Sequence, residues 1–345
     1  MPKVTVVQVI YNSKRFIEPC FSAIFKQTFK DFNVVAVISG NTDGGKELLM
    51  EKFPQVEIID PGFNIGFASG HNLVFEKFKS DFFQLVNPDL IIEPEYIETM
   101  LKAFDEKKVG AATGKLLRYD FDRNKPTNII DSTGVNISKS GRGRDRGQHE
   151  VDNGQYDDFP SVDAVSAAGA MYRSAALEDI KLPKNLLPEP VEGTNFSKSN
   201  FAPSTSLRDQ NYFEYFDQDF HSYWEDVDLS WRMKNAGWKN AYVPSAVAYH
   251  GRGAGSSKGG YKDIIGFISH HSKISPRVRQ LNYKNHIFMY IKNSRYFYPQ
   301  FFVREFFMFW YILIFETSTL KVVPVMLKLL PKMWKKRKVI LGGTH

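Results

Sequence analysis

Three carboxylates within four positions, Glu225, Asp226 and Asp228, stand in Tyr223-Trp224-Glu225-Asp226-Val227-Asp228-Leu229-Ser230-Trp231-Arg232, among tryptophans and aliphatic residues. A solvated acidic face has no use for such neighbours. Carboxylates held against apolar side chains have raised pKa values and serve as proton acceptors. Helical spacing puts Glu225 and Asp228 on one face and Asp226 on another, which divides their duties. The plainer alternative is the attraction of acids to a helix N-terminus. A second position is Asp89, in Asn87-Pro88-Asp89 directly after the apolar run Phe82–Val86. One carboxylate there suits Mg²⁺ or Mn²⁺, the ion keeping waters and taking its other ligands from phosphates. An Asp in such a run also caps or turns chains. His250 follows the apolar run Ala246–Tyr249 and precedes Gly251-Arg252-Gly253. It has the chemistry of a metal ligand, a phosphate donor or a structural histidine, and spacing alone favours the last.

The elements that must hold these groups alternate over the first 115 residues. Apolar runs at Lys3–Ile10, Asn33–Ile38, Val56–Ile59, Phe82–Val86 and Val109–Thr113 read as strands. Pro19–Gln27 (Pro19 in its first turn), Gly45–Phe53, Ala68–Phe78 and Glu95–Asp105 read as helices. Such alternation predicts βαβ units and a mostly parallel sheet covered on both faces, with ligands beyond the carboxyl ends of its strands. Three strand-end loops therefore matter: Tyr11-Asn12-Ser13, Asn64 to Asn72, and Asn87-Pro88-Asp89. Gly66 and Gly70 in the second lie at a helix entrance, where backbone N–H groups approach phosphate, although a plain glycine turn reads the same way. Residues 116–159, rich in Gly and Arg, are too long for an ordinary connection and so are functional or mobile. Pro183–Gln210 is a second irregular insertion. A helix near Asp226–Ala236 and a strand Asn240–Val243 close the body.

With 345 residues the chain has room for one large domain with an appendage, or for two. One cysteine, Cys20, excludes a disulfide framework and multi-cysteine metal sites. The first ten residues read as a strand rather than a secretion signal, which predicts a cytoplasmic chain. The net charge is +7, and residues 296–338 hold eight Lys/Arg against two acids, leaving the body nearly neutral. That tail is also aromatic. Its longest uncharged run, Phe306–Phe315, is ten residues, about half a bilayer span. Lysines interleaved with aromatics and ending in Lys335-Lys336-Arg337-Lys338 suit helices lying on an anionic membrane surface; a helical cap or a dimer contact is the alternative. A folded nucleic-acid reader would carry its basic footprint on the body.

Taken in order, these motifs resemble the inverting GT-A glycosyltransferases of family two, and most of all their bacterial rhamnosyltransferase-like branch. The likeness is carried by Tyr11-Asn12, the Asn64-to-Asn72 loop, Asn87-Pro88-Asp89, Gly169-Ala170 with Arg173, Glu225 to Arg232, and His250. Asp131-Ser132-Thr133-Gly134, Gly141 to Gly147 and Lys284-Asn285 through Lys292-Asn293 add to it, so that it spans about residues 3–295. The resemblance implies an α/β GT-A domain over 1–270, with a donor half to about 115 and an acceptor half from 116. A helical, membrane-associating extension over 271–345 follows. It implies a nucleotide-sugar donor held by Tyr11, Asn12, Ser39, Asn64, Gly66, Phe67, Gly70, Asn72, Asn87 and Asp89. A glycan or lipid-linked acceptor lies near Gly169, Ala170, Trp224 and Glu225, with Trp224 as a stacking platform. Asp226 maps to the general base, and Asp89 with His250 to the Mg²⁺ or Mn²⁺ site. The setting would be the inner face of the cell membrane.

One departure stands out. Where the family has Val-Asp-Asn-x-Ser-x-Asp-Gly, this chain reads Val37-Ile38-Ser39-Gly40-Asn41-Thr42-Asp43-Gly44, without the first acid. Ser39 or Asn41 supplies a weaker contact to the nucleotide, or the nucleotide differs. Other readings are a sugar nucleotidyltransferase, which lacks its Gly-rich first loop here, and an inactive sugar-binding relative. A nucleic-acid binder using Arg142, Arg144 and Arg146 is opposed by Asp145, Glu150 and Asp152 nearby.

Overall fold

The computed structural model describes residues 1–183, 213–251 and 271–342. Beyond Pro183 the second insertion lies outside the described residues, as do Arg252 and Gly253.

The first half is a run of βα units: β1 (Val4–Ile10), α1 (Lys14–Phe25), β2 (Phe32–Ile38), α2 (Gly45–Lys52), β3 (Glu57–Ile59), α3 (Gly66–Lys77) and β4 (Phe82–Leu85). Then come β5 (Leu90–Ile92), α4 (Tyr96–Lys102), the long β6 (Val109–Asp120) and β7 (Lys125–Ser132). A hairpin of β8 (Val135–Ile137) and β9 (Gly143–Asp145) precedes β10 (Ala170–Arg173), α5 (Ser174–Ile180) and the short pair β11 (Leu182–Pro183) and β12 (Phe213–Glu214). The body ends with α6 (Glu225–Asn235) and β13 (Lys239–His250), and α7 (Pro276–Asn293), α8 (Pro299–Phe315) and α9 (Val323–Gly342) follow.

The main sheet runs β3-β2-β1-β4-β10-β6-β13-β5, with β7 added beside β6. The four N-terminal strands are parallel to one another. Beyond them the sheet is mixed, since β10 lies antiparallel between β4 and β6, and β5 and β7 pair antiparallel with β13 and β6. Period-two alternation divides the core: Val34, Ala36 and Ile38 pack with α1 and α4 on one face, and Val35 and Val37 with α3 and α6 on the other. This is the α/β architecture expected.

Three local readings are corrected. Helix α1 starts at Lys14, so Pro19 lies inside it rather than in its first turn. The buried stripe Ile17, Cys20, Phe21 and Ile24 supplies enough packing to tolerate the hydrogen bond that Pro19 cannot donate. Strand β5, three residues long, follows Asp89 where no strand was expected. Residues 116–159 are not a connection but the end of β6, then β7 and the β8–β9 hairpin.

The C-terminal helices are fastened to the body by buried charge. Lys292 of α7 contacts Asp217 and lies 2.9 Å from Asp228, and all three side chains are fully buried. Lys336 of α9 reaches Asp217 and Glu214 at 2.6 Å and Asp219 at 3.0 Å. Lys332 reaches Asp219 at 2.6 Å, and Arg337 donates to the carbonyls of Ile291 and Ser294. Half of the basic run that reads as a membrane contact therefore faces inward, while Lys321, Lys328, Lys335 and Lys338 remain exposed. Among the described residues no helix is long and apolar enough to cross a membrane.

Candidate active site

The Asn87-Pro88-Asp89 turn is held at the end of β4 by Asn87, whose N–H donates to the Ala168 carbonyl at 2.8 Å. The chain then enters β5, which pairs with the end of β13 so that Leu90 faces His250. This register brings the His250 Nε2 to 3.3 Å from the Asp89 Oδ1. On its other side the His250 Nδ1 lies 2.9 Å from the Asp131 Oδ2 of β7. Next to His250, Gly251 donates its N–H to the Asp89 carbonyl, and a Cβ there would meet the Phe121 ring at 2.5 Å. Burial disfavours the imidazolium, but Asp131 and Asp89 outweigh it and raise His250 to about 9. Burial likewise opposes ionisation of Asp89, and His250 overcomes it and holds the carboxyl below its ordinary value.

Asp226 opens α6 beside this pair of strands. Its Oδ2 accepts the Ala167 N–H at 3.2 Å and its Oδ1 the Val227 N–H at 2.8 Å. Burial is the main force raising its pKa above the ordinary carboxylate range, partly offset by those two donors. Burial, with Asp226 next to it, raises the Glu225 carboxyl well above the ordinary range. The approach to α6 is strained: His221, Tyr223 and Trp224 have φ of 64°, 71° and 71°. Non-glycine residues hold that conformation only where the surroundings impose it, and they cluster at functional sites. Here the Asn285 amide of α7 imposes it, donating to the Phe220, Ser222 and Tyr223 carbonyls at 2.8–3.0 Å.

The loop into α3 is built on Asn64, whose Oδ1 accepts from the Ser39 hydroxyl at 3.1 Å and the Gly66 N–H at 2.9 Å. Gly66 has φ +79°, and a Cβ there would strike the His221 imidazole at 2.5 Å. Gly70 lies flush on Val9, where a Cβ would come within 2.7 Å of a methyl group. Tyr11 is exposed, and the Asn12 Oδ1 accepts from the Thr42 N–H at 2.9 Å. In the segment that departs from the family pattern, the Asn41 amide is enclosed, with no hydrogen-bond partner among the described residues.

Phe67, Asn87, Asp89, Trp224, Glu225, Asp226 and His250 all line one cleft of about 550 Å³. Two carboxylates 137 positions apart in the chain thus share one cleft. The other expected contacts are not part of its lining: Tyr11, Asn12, Ser39, Asn64, Gly66 and Gly70 lie outside it, and Asn72, Gly169 and Ala170 lie behind its wall. Asn72 is buried, and both ends of its amide bond the Phe216 backbone at 2.8 Å. Ala170 is buried in the sheet, and the Gly169 carbonyl accepts from the Tyr96 hydroxyl at 2.6 Å. These residues position; Ser166, Ala167 and Ala168, just before them, line the cleft. Trp224 is half-buried, its indole N–H donating to Asn282 at 3.0 Å. Sequence reasoning gave no role to Asp131 or Asn285, which appear there only inside stretches of family likeness.

Residues 5–180 match the family described as Glycosyl transferase family 2. The chain is 26% identical over 256 residues to the N-acetylglucosaminyl-diphospho-decaprenol L-rhamnosyltransferase of Mycobacterium tuberculosis, covering 71% of this chain and 75% of the relative. A mannosyltransferase from Pyrobaculum calidifontis, solved in complex with GDP-Man and Mn²⁺, superposes with a TM-score of 0.51 at 14% identity over 99% of this chain and 74% of its own. GalNAc-T7, solved with UDP, GalNAc and Mn²⁺, gives a TM-score of 0.53 at 11% identity, over 85% of this chain and 48% of its own. At those identities the superpositions show the fold alone. A family match over half the chain, on an α/β body that brings Asp89, His250 and Asp226 to one cleft, makes this protein a glycosyltransferase of family 2 with the GT-A fold.

Proposed function

We propose that the cleft transfers a sugar, rhamnose being the first candidate, from a nucleoside-diphosphate donor to a hydroxyl of a glycan or lipid-linked glycan, inverting the anomeric centre. The observation that carries this is the shared cleft of Asp226 and the Asp89–His250 pair. The acceptor oxygen forms a bond to the anomeric carbon as the bond from that carbon to the diphosphate oxygen breaks. The leaving pair departs with the nucleoside diphosphate, and the acceptor proton passes to Asp226. A raised carboxyl matches this task, because a base is most effective when its pKa lies near the working pH. One direct displacement needs no covalent sugar–enzyme intermediate.

The Asp89–His250 pair fits a divalent ion, Mg²⁺ or Mn²⁺. An oxygen and an imidazole nitrogen converge, with Asp131 bonded to the far ring nitrogen, as the orienting carboxylate behind a metal-bound histidine does. An ion held by these two groups takes its other ligands from a diphosphate and water. When bound, such an ion neutralises charge developing on the leaving oxygens. In this reading Ser39 or Asn41 supplies a weaker nucleotide contact in lieu of the missing acid, although neither lines the cleft.

Residues 1–270 form the catalytic unit in this reading and 271–345 the extension. The exposed aromatic face of α8, with Phe306, Phe309 and Trp310, and the outward lysines of α9 rest on the cytoplasmic membrane surface. Sugar transfer to a lipid-linked glycan, assayed across nucleotide sugars with Mn²⁺ or Mg²⁺, tests the reading. Asp226→Asn should cut the rate by about 10²–10⁴-fold while the thermal shift given by donor plus metal persists. Undiminished turnover in that variant would refute the base.

A further inference from the structure

Glu225 and Asp226 open α6 side by side on the cleft wall, and their surroundings are unequal. Asp226 accepts two backbone N–H groups, from Ala167 and Val227. Glu225 is 6% exposed, yet its Oε2 has no hydrogen-bond partner among the described residues. The titratable groups that act on it are Asp226 and Asp228 of its own helix. From β10 it is met by Tyr172, whose phenol oxygen is likewise buried and unpartnered among the described residues. Asp145 of β9 acts on Asp226, Asp89 and His250 share the cleft, and Arg232 and Lys292 of α7 are bonded to Asp228.

Two acids so close do not both ionise readily, and the proton goes to the one whose anion is less well served. Here that is Glu225. Burial, and then Asp226, push its carboxyl well above the ordinary range, whereas two N–H donors hold Asp226 back. A protonated carboxyl has an O–H to give, and enzymes elsewhere keep an acid neutral for that use.

We infer that Glu225 is a second catalytic group of this cleft, a proton-bearing carboxyl whose Oε2 donates a hydrogen bond to the acceptor-sugar oxygen beside the attacking hydroxyl. The two acids then divide a pair of neighbouring oxygens. Asp226 takes the proton of the one that attacks; Glu225 keeps its own proton and holds the other. The acceptor this favours carries oxygens on adjacent carbons. The inference rests on the glycosyl-transfer reading.

The infrared spectrum of the full chain at neutral pH reads the proton without any turnover. It should contain a protonated-carboxyl band that Glu225→Gln removes. Transfer from a panel of nucleotide sugars with Mn²⁺ to octyl glycosides of hexoses and N-acetylhexosamines reads the donation. Glu225→Gln, whose amide donates from the same place, should keep most of the parent's kcat/KM. The acid limb of its pH profile should stay at the parent's pH, because no charge has been removed. Glu225→Leu fills the space without a donor and should lose about tenfold, the scale of one uncharged hydrogen bond. An acceptor deoxygenated beside the attacking hydroxyl should lose the same factor with the parent and nothing further with Glu225→Leu. The parent spectrum and the deoxygenated acceptor need no variant, so both decide even where a substitution prevents folding. A parent chain that transfers sugar but shows no protonated carboxyl overturns the assignment. Full activity in Glu225→Leu, or a Glu225→Gln variant as impaired as Glu225→Leu, overturns it too. A parent chain that transfers nothing instead sinks the glycosyl-transfer reading, and this assignment with it.

Discussion

Two groups of carboxylates lie within one helical turn of each other, Asp228 fully buried and Asp226 at the cleft wall, and behave in opposite ways. Asp228 is paired with Arg232 at 3.1 Å and Lys292 at 2.9 Å and accepts from the Asn293 amide at 2.7 Å. Its neighbour in the cluster, Asp217, is fully buried, yet Lys292 and Lys336 hold it well below the ordinary carboxylate range against the cost of burial. Two residues before Asp228, burial raises Asp226, and Glu225 beside it is raised further. Neither of those has an ion-pair partner among the described residues. With cations beside it Asp217 stays ionised and fastens the fold; without one, Glu225 and Asp226 hold or take a proton more readily. Titratable neighbours whose surroundings push them apart are a general mark of divided acid–base roles.

Removing the cation-paired acid should have the larger consequence. Asp217→Ala leaves Lys292 and Lys336 buried without it, a loss of about 3–5 kcal/mol, read as a fall in the denaturant midpoint. Asp226→Asn strands no cation, so its midpoint should stay close to that of the parent chain. Equal destabilisation by both substitutions would dissolve the contrast.

The pH dependence sharpens it. With the ionised form of Asp226 as the proposed acceptor, transfer should be fast above its pKa and fall as pH drops through it, at a higher pH than an ordinary Asp would give. Asp217 works with the other sign. A depressed carboxyl contributes stability that is present above its unfolded pKa and is lost as pH falls through the folded one, so its share of stability persists into acid. A rate profile and a stability profile that break at the same pH would contradict this division. The smallest effect concerns Asp131, which touches His250 from behind. Asp131→Asn should weaken Mn²⁺ binding by about 10–100-fold, measured as the metal dependence of the thermal midpoint.

The alternating half of the molecule was legible because buried parallel strands are continuous apolar runs between amphipathic helices, and residues 4–85 show that pattern plainly. Strand β5 was not, since three residues after a turn carry no period. Residues 116–159 misled because β7 is exposed at Lys125, Pro126 and Asn128 and buried only at its end, Ile130 to Ser132, so no alternation marks it. Among the candidate site residues, Asp226 and Asp89 stood out by their neighbours in the sequence, and His250 only through the family resemblance. Asp131 did not, because only the pairing of β7 with β6 and of β6 with β13 carries it across 119 positions to His250. The tail misled most. Its lysines were counted as one cationic surface, but Lys332 and Lys336 lie one helical turn apart on the face that meets Asp217 and Asp219. Charge in a sequence does not say which way it faces.

The Asn285 clamp and the Lys336 anchor have a practical consequence for anyone handling this enzyme. Trimming the greasy C-terminal helices to obtain a better-behaved preparation would also withdraw the amide that bends the chain ahead of Asp226 and the ammonium group that neutralises Asp217. The part of the polypeptide that looks most dispensable is the splint behind the turn that presents Asp226 to the cleft.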